Sequence, residues 1–149
     1  MKRDEHLYPL SWGPQHGLAF ARQLKIFLEN RSKGIEELIG QLEKFWQKEL
    51  DGHFRAEEGI LFPVVGLKIS ACRTLVERAL EEHKTLRGYL EFLKAKPSEE
   101  AARQSLTWFA DLLTNHIRFE ERELFPLIES SLSPAEFDRI GDQLAGSQG

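Results

Sequence analysis

Two eleven-residue segments of the chain match one another closely. One runs from His53 to Pro63 and the other from His116 to Pro126, and they share seven residues. The shared residues are the opening His, an Arg two positions later, two consecutive Glu, and the closing Leu-Phe-Pro. A match of this density indicates an internal duplication. Each half is then expected to be a helical hairpin, and the two halves to be related by a pseudo-two-fold axis.

Apolar residues recur at helical spacing around both segments, while prolines fall near the ends of the apolar runs. This pattern predicts five helices, over about residues 14–30, 35–62, 70–96, 98–125 and 134–144. No segment shows the two-residue alternation of an amphipathic strand. Because short loops join antiparallel neighbours, the predicted fold is all-α: an up-down antiparallel four-helix bundle with a short C-terminal fifth helix. Pro63 and Pro126 should break or kink their helices.

Length and charge limit the classes of function. A chain of 149 residues suits a single domain, residues 1–149, with its helical core over about residues 10–130. The net charge is −4 and basic residues are mixed with acidic ones, so we expect no nucleic-acid partner. No apolar run approaches the roughly 20 residues that span a bilayer, so we expect no membrane insertion. The N-terminal residues lack the apolar core of a secretory signal, which predicts a cytoplasmic protein.

The repeated motif places potential metal ligands on one helix face. A His and a Glu four residues apart on a helix have Cβ atoms about 5 to 6 Å apart, close enough to reach one metal region. The first and third helices each add one His among apolar positions. The predicted metal ligands are His16, His53, Glu57, His83, His116 and Glu120. No residue is predicted to be catalytic.

This donor set indicates the kind of ion. Four His and two Glu exceed the needs of one tetrahedral zinc, but they suit two octahedral first-row ions bridged by Glu57 and Glu120. Iron is the natural candidate. Ferritin-like sites use Glu-x-x-His, which is absent here, and a haem would not explain the repeated Glu. A metal-free bundle that keeps the motif only for packing is the remaining alternative.

The residues beside the predicted ligands have two readings. Glu58 and Glu121 either accept a hydrogen bond from a ligand histidine or lie in solvent. Arg55 and Arg118 are interpreted as i, i+3 partners of those two glutamates.

The doubled His-x-x-x-Glu-Glu-x-x-Leu-Phe-Pro motif, with Glu82-His83 and a His early in the first helix, resembles the hemerythrin-like, or HHE cation-binding, domain. The resemblance covers about residues 10–130. It implies a four-helix bundle with a non-haem di-iron centre of the Fe–O–Fe type. Oxygen-carrying hemerythrins have a second His four residues after the first on the third helix, where this chain has Arg87. They also place the acid five residues after the last His, whereas Glu120 follows His116 by four.

The ligand set is instead similar to that of bacterial iron-centre repair proteins and of the iron-sensing domain of an F-box ubiquitin ligase subunit. The function that the resemblance implies is a di-iron protein that reacts with or senses O2, NO or peroxide, or handles iron. The alternative is an iron-stabilised regulatory or protein-binding module without redox turnover, for which a protein partner is expected. Whether the chain is an enzyme is left open by both readings.

Overall fold

The structure is a computed structural model that describes residues 16–148, without the side chains of residues 147 and 148. Across this part the chain is helical and contains no strand. The α-helical segments are α1 His16–Asn30, α2 Ile35–Phe45, α3 Asp51–Ala56, α4 Phe62–Lys68, α5 Ser70–Lys94, α6 Glu99–Phe119, α7 Phe125–Ser131 and α8 Pro134–Gln148. The predicted all-α class is confirmed.

Three π-helical turns join some of these segments into longer helices. The turns Trp46–Leu50 and Glu57–Leu61 connect α2, α3 and α4, so that residues 35–68 form one continuous helix. The turn Glu120–Leu124 connects α6 to α7 in the same way. The four helices of the up-down bundle are therefore α1, α2–α4, α5 and α6–α7.

Short connections with defined ends make neighbouring helices antiparallel. Arg31 after α1 and Lys96 after α5 have positive φ angles of 53° and 56°, the backbone conformation that commonly ends a helix. Ser98 caps α6, since its Oγ accepts a hydrogen bond of 3.2 Å from the backbone N–H of Ala101.

The observed helix ends differ from the predicted ones for three of the helices. Pro63 and Pro126 do not end their helices, which continue to Lys68 and Ser131, because each proline lies at the second residue after a π turn. The fifth helix extends to Gln148 and not to residue 144. The predicted start of the first helix, at residue 14, lies outside the described residues.

The buried apolar residues form two clusters along the bundle. One cluster includes Phe54, Leu86 and Ile117, and the other includes Leu61 and Phe119. Apolar residues of α8 belong to the second cluster, so α8 closes that end of the bundle. On the second and third helices, Glu57 and His83 lie between the residues that contribute to the two clusters. On the fourth helix, His116 and Glu120 flank Ile117 of the first cluster and Phe119 of the second. No helix within residues 16–148 combines the length and apolar character needed to cross a membrane.

Candidate metal centre

Four buried side chains converge between the two apolar clusters. Glu57, His83, His116 and Glu120 are all 0 % exposed, and one potential ligand atom from each lies within 4.8 Å of all the others. His83 comes from the middle of α5, His116 from the last turn of α6, and the two glutamates from the starts of two π turns. Three of the four bundle helices therefore build one polar cluster.

Each of these glutamates opens a π turn that is followed by a proline. The backbone N–H of Phe62 donates to the carbonyl of Glu57, five residues earlier, just before Pro63. Phe125 donates to Glu120 in the same way, just before Pro126. A proline offers no N–H and its ring crowds the preceding turn, so a wider turn at this point accommodates it. The shared Leu-Phe-Pro of the repeat thus shapes the backbone at both carboxylates.

Each glutamate directs its two oxygens toward different histidines. Glu57 Oε1 lies 3.1 Å from His83 Nε2, and its Oε2 lies 3.5 Å from His53 Nε2. Glu120 Oε2 lies 3.4 Å from His116 Nε2, and its Oε1 lies 3.8 Å from His53 Nε2. Both carboxylates therefore stand between His53 on one side and the His83–His116 pair on the other.

The chemistry of this cluster fits a bound cation. Among the described residues, both carboxylate oxygens of Glu57 and the Nε2 atoms of His83 and His116 are buried without a hydrogen-bond partner. A buried polar group left unsatisfied costs about 1 to 3 kcal/mol. A cation would satisfy all of these atoms together, and mixed imidazole and carboxylate donors suit first-row transition metals.

Charge in the metal-free cluster is distributed unevenly over the two carboxyl groups. Burial, followed by the proximity of Glu120, raises the pKa of Glu57 well above its usual value. Burial acts in the same direction on Glu120, but the charge of His116 together with polar contacts to Glu57, His116 and His53 outweighs it and holds the pKa of Glu120 well below its usual value. Two buried carboxylates this close cannot both ionise freely without a nearby positive charge.

The two buried histidines also differ from each other. Burial, reinforced by His116, lowers the pKa of His83 to about 4. Burial opposes the charging of His116 too, but Glu120 and Glu82 outweigh it and raise its pKa to about 10. In the metal-free protein His83 is therefore neutral and His116 is charged.

A carboxylate holds the outer ring nitrogen of each buried histidine. His83 Nδ1 donates to Glu58 Oε2 over 2.7 Å, and His116 Nδ1 donates to Glu82 Oε1 over 2.7 Å. Since an ionised carboxylate only accepts hydrogen bonds, both Nδ1 atoms are protonated, and in the neutral ring the lone pair lies on Nε2, facing the cluster. Of the two predicted readings of Glu58, the observed one is contact with a histidine, His83, which is a predicted ligand.

Two sequence interpretations need correction at this point. Arg55 pairs with Asp51, with Nε 3.2 Å from Oδ2, whereas Glu58 pairs with Arg87. The i, i+3 pairing of Arg55 with Glu58 was therefore wrong, because Glu58 turns inward toward α5. The role of Glu82 was missed. The sequence shows only that Glu82 directly precedes His83, and this position does not identify the partner of Glu82.

Comparison with protein families gives a match over residues 15–128 to the hemerythrin HHE cation-binding domain. The chain belongs to this family. The matched region contains every residue of the buried cluster, and the resemblance inferred from the repeated motif is confirmed.

A curated relative of this hemerythrin-family chain is a protein of Nostoc sp. named DNA nickase. The two are 30% identical over 111 residues, which is 74% of this chain. The chain spans about 30% of the length of that relative. Comparison with solved structures gives no match.

An aromatic wall, formed by Phe54 of the first apolar cluster and Phe62 of the second, packs against the histidines of the hemerythrin-type cluster. The ring of Phe54 stacks on His83 with centroids 3.9 Å apart and meets His116 edge-on at 5.6 Å. Phe62 lies on another side of His83, with centroids 5.9 Å apart. These contacts restrict the rotation of the rings and limit solvent around the cluster.

The remaining predicted ligands of the hemerythrin domain are less enclosed. The side chain of His53 is 9 % exposed and lies beside both glutamates. His16 is exposed at the start of α1 and is not one of the four converging residues. Its role as a ligand stays a prediction. His6, which the sequence indicates to be a surface residue, lies outside the described residues.

Proposed function

We propose that this hemerythrin-family chain binds two iron ions, bridged by Glu57 and Glu120, and reacts with or senses O2, NO or peroxide, or handles iron. The observation that carries the proposal is the placement of the two glutamates. Each directs one oxygen toward His53 and the other toward one of the buried pair, His83 and His116. Two carboxylates with donors on both sides are what a pair of neighbouring cations requires.

Different residues of the chain would have different roles in the proposed centre. His83 and His116 would offer Nε2 to one ion, while His53 and the predicted ligand His16 would serve the other. Glu57 and Glu120 would supply the negative charge that compensates both cations in a buried site. Bound iron would supply an exchangeable coordination position and one-electron chemistry for a small oxidant or NO. The aromatic wall would slow the entry of water.

Metal analysis tests this proposal directly. Protein produced in iron-replete medium should contain about two iron ions per chain, with optical and Mössbauer spectra typical of a coupled pair. The variants His53→Ala and Glu120→Ala should each lower the iron content. Arg55→Gln, which removes a surface ion pair on the same helix as His53, is the matched control and should leave it unchanged. Wild-type protein that folds and takes up no iron would disprove the proposal.

A specific surface feature favours the alternative of a protein-binding module. Trp108 and Phe92 are 51 % and 46 % exposed, and Trp108 lies beside Tyr89 with ring centroids 6.2 Å apart. Exposed aromatic residues of this kind are enriched in protein interfaces. Optical spectra that change with O2, NO or peroxide would support the redox function. Metal-dependent thermal stability with spectra that ignore these molecules would support the module.

The relative named DNA nickase suggests one further measurement. The activity in its name belongs to a protein of which this chain spans about 30%, and the net charge of −4 here does not favour binding to DNA. We expect the iron-loaded chain to leave supercoiled plasmid intact. Metal-dependent conversion to nicked circles, abolished by Glu120→Ala, would instead assign nicking to this domain.

A further inference from the structure

Two arginines of α5 donate hydrogen bonds to the carboxylates that contact the buried histidines. Arg87 donates to Glu58 from both terminal guanidinium nitrogens, Nη1 to Oε2 at 2.8 Å and Nη2 to Oε1 at 3.0 Å. Arg78 donates from Nε to Glu82 Oε2 at 3.2 Å. The same order of groups, arginine, carboxylate, histidine, therefore occurs twice.

Both series of contacts extend from the surface of α5 into the buried cluster. Arg87 and Arg78 are 38 % and 46 % exposed, whereas the histidines at the inner ends are fully buried. Glu58 lies on the same helix as Glu57 and contacts His83 on α5. Glu82 lies on α5 and contacts His116 on α6. Each series of contacts therefore also connects two helices of the bundle.

We propose that Arg87 and Arg78 are positioning residues that set metal retention by fixing Glu58 and Glu82 against the ligand histidines, an inference that rests on the proposed metal centre. The contact geometry is what supports it. Glu58 is 27 % exposed, so without Arg87 its carboxylate could turn toward water and release His83 Nδ1. A bidentate guanidinium fork fixes both carboxylate oxygens at once, and a lysine cannot reproduce this.

The two arginines are not equally placed. Arg87 makes two short hydrogen bonds to Glu58, and its guanidinium lies 6.0 Å from the ring of Phe54, which itself stacks on His83. Arg78 makes one longer bond to Glu82 and also lies 4.0 Å over the ring of Phe119. Its guanidinium is therefore held partly by a contact that does not involve Glu82. Loss of Arg87 should consequently have the larger effect on the centre.

The test compares the release of bound iron to a strong chelator in wild type and four variants. Arg87→Gln should release iron about ten-fold faster than wild type, the lower end of the effect of outer residues on metal affinity. Arg87→Lys should recover only part of the loss. Arg78→Gln should have a smaller effect than Arg87→Gln. The matched control, Arg55→Gln, also removes an ion pair between an arginine and a carboxylate and should release iron at the wild-type rate.

A double-mutant comparison decides whether Arg87 acts through Glu58. Glu58→Gln alone should speed release, and adding Arg87→Gln to it should change the rate little, because the carboxylate that Arg87 fixes is already absent. Independent, multiplying effects of the two substitutions would overturn the proposal. So would an Arg87→Gln protein that keeps iron as well as Arg55→Gln does.

A measurement on the metal-free protein separates this inference from the proposed function. In ¹⁵N spectra of labelled histidine, wild-type His83 should show a proton on Nδ1, and Arg87→Gln should shift the ring toward a mixture of the two tautomers. If wild type binds no iron and the tautomer still responds, the metal function fails while the positioning role stands. A tautomer that is the same in both proteins would overturn the positioning role.

Discussion

The first hairpin, residues 16–68, and the second hairpin, residues 70–131, carry the same motif but enclose their histidines differently. His83 and His116 of the second hairpin are fully buried, and each has its Nδ1 held by a carboxylate at 2.7 Å. In the first hairpin His53 is partly exposed and His16 is exposed. Glu57 and Glu120, at equivalent positions, are both fully buried.

This difference leads us to expect that the two proposed metal positions are unequal. The two glutamates are shared between the hairpins, and the carboxylates of Glu58 and Glu82 hold His83 and His116 of the second hairpin. Under the duplication, Glu82 corresponds to Gln15, a neutral residue. The position served by His83 and His116 is therefore expected to hold its ion more firmly than the position served by His53.

Replacing equivalent histidines of the two hairpins should change metal binding more than any other substitution discussed below. We expect His116→Ala to weaken metal binding by on the order of 100-fold or more, since it removes a ligand and also leaves Glu82 without the histidine it holds. His53→Ala should weaken binding less, because this side chain is partly exposed and water can replace it. Iron content and competition with a chelator measure both losses. Equal losses in the two variants would show that the hairpins are functionally symmetric.

The repeat and its helical spacing made the fold and most of the cluster predictable. His53, Glu57, His116 and Glu120 follow from a four-residue spacing on one helix face, which local geometry determines. The partners of Glu58 and Glu82 could not be predicted, because they depend on how α5 is rotated against its neighbours. The π turn Trp46–Leu50 has no following proline and left no signal in the sequence.

The two equivalent glutamates should respond in opposite ways in the metal-free protein. Burial raises the pKa of Glu57, so ionisation of this carboxyl group opposes folding. The protonated carboxyl group contributes stability at low pH, and this contribution is lost as the pH rises through the pKa of Glu57 in the folded protein. Glu57→Gln should therefore be as stable as wild type, or more stable, at neutral pH. Glu120→Gln removes the carboxylate beside charged His116 and should lower the free energy of unfolding by about 1 to 3 kcal/mol.

Chemical denaturation of the metal-free proteins at neutral pH measures this contrast. Both variants keep the size and shape of the side chain, so a difference between them reports charge and not packing. If Glu57→Gln lost as much stability as Glu120→Gln, the unequal charge distribution in the cluster would be wrong.

The hairpins also differ at their C-terminal ends, where the expected effects are smallest. A single residue, Ile69, connects α4 to α5 and provides no side-chain cap. After the second hairpin, Ser133 and Glu136 form a reciprocal cap at the start of α8. The Ser133 N–H donates to Glu136 Oε1 at 2.9 Å, and the Glu136 N–H donates to Ser133 Oγ at 3.2 Å. Ser133→Ala should lower the free energy of unfolding by about 1 kcal/mol.

The acidic half of this cap should show itself in the pH dependence of stability. The hydrogen bond from the Ser133 N–H holds the pKa of Glu136 below its usual value, so the stabilisation is present above the unfolded value of about 4.3 and is lost as the pH falls through the folded pKa. The advantage of metal-free wild type over Glu136→Gln should therefore shrink as the pH falls from 7 to 3. Because both proteins retain the same histidine and glutamate cluster, its own titration cancels in the difference. An advantage that stays constant over this range would mean that the cap does not depend on the charge of Glu136.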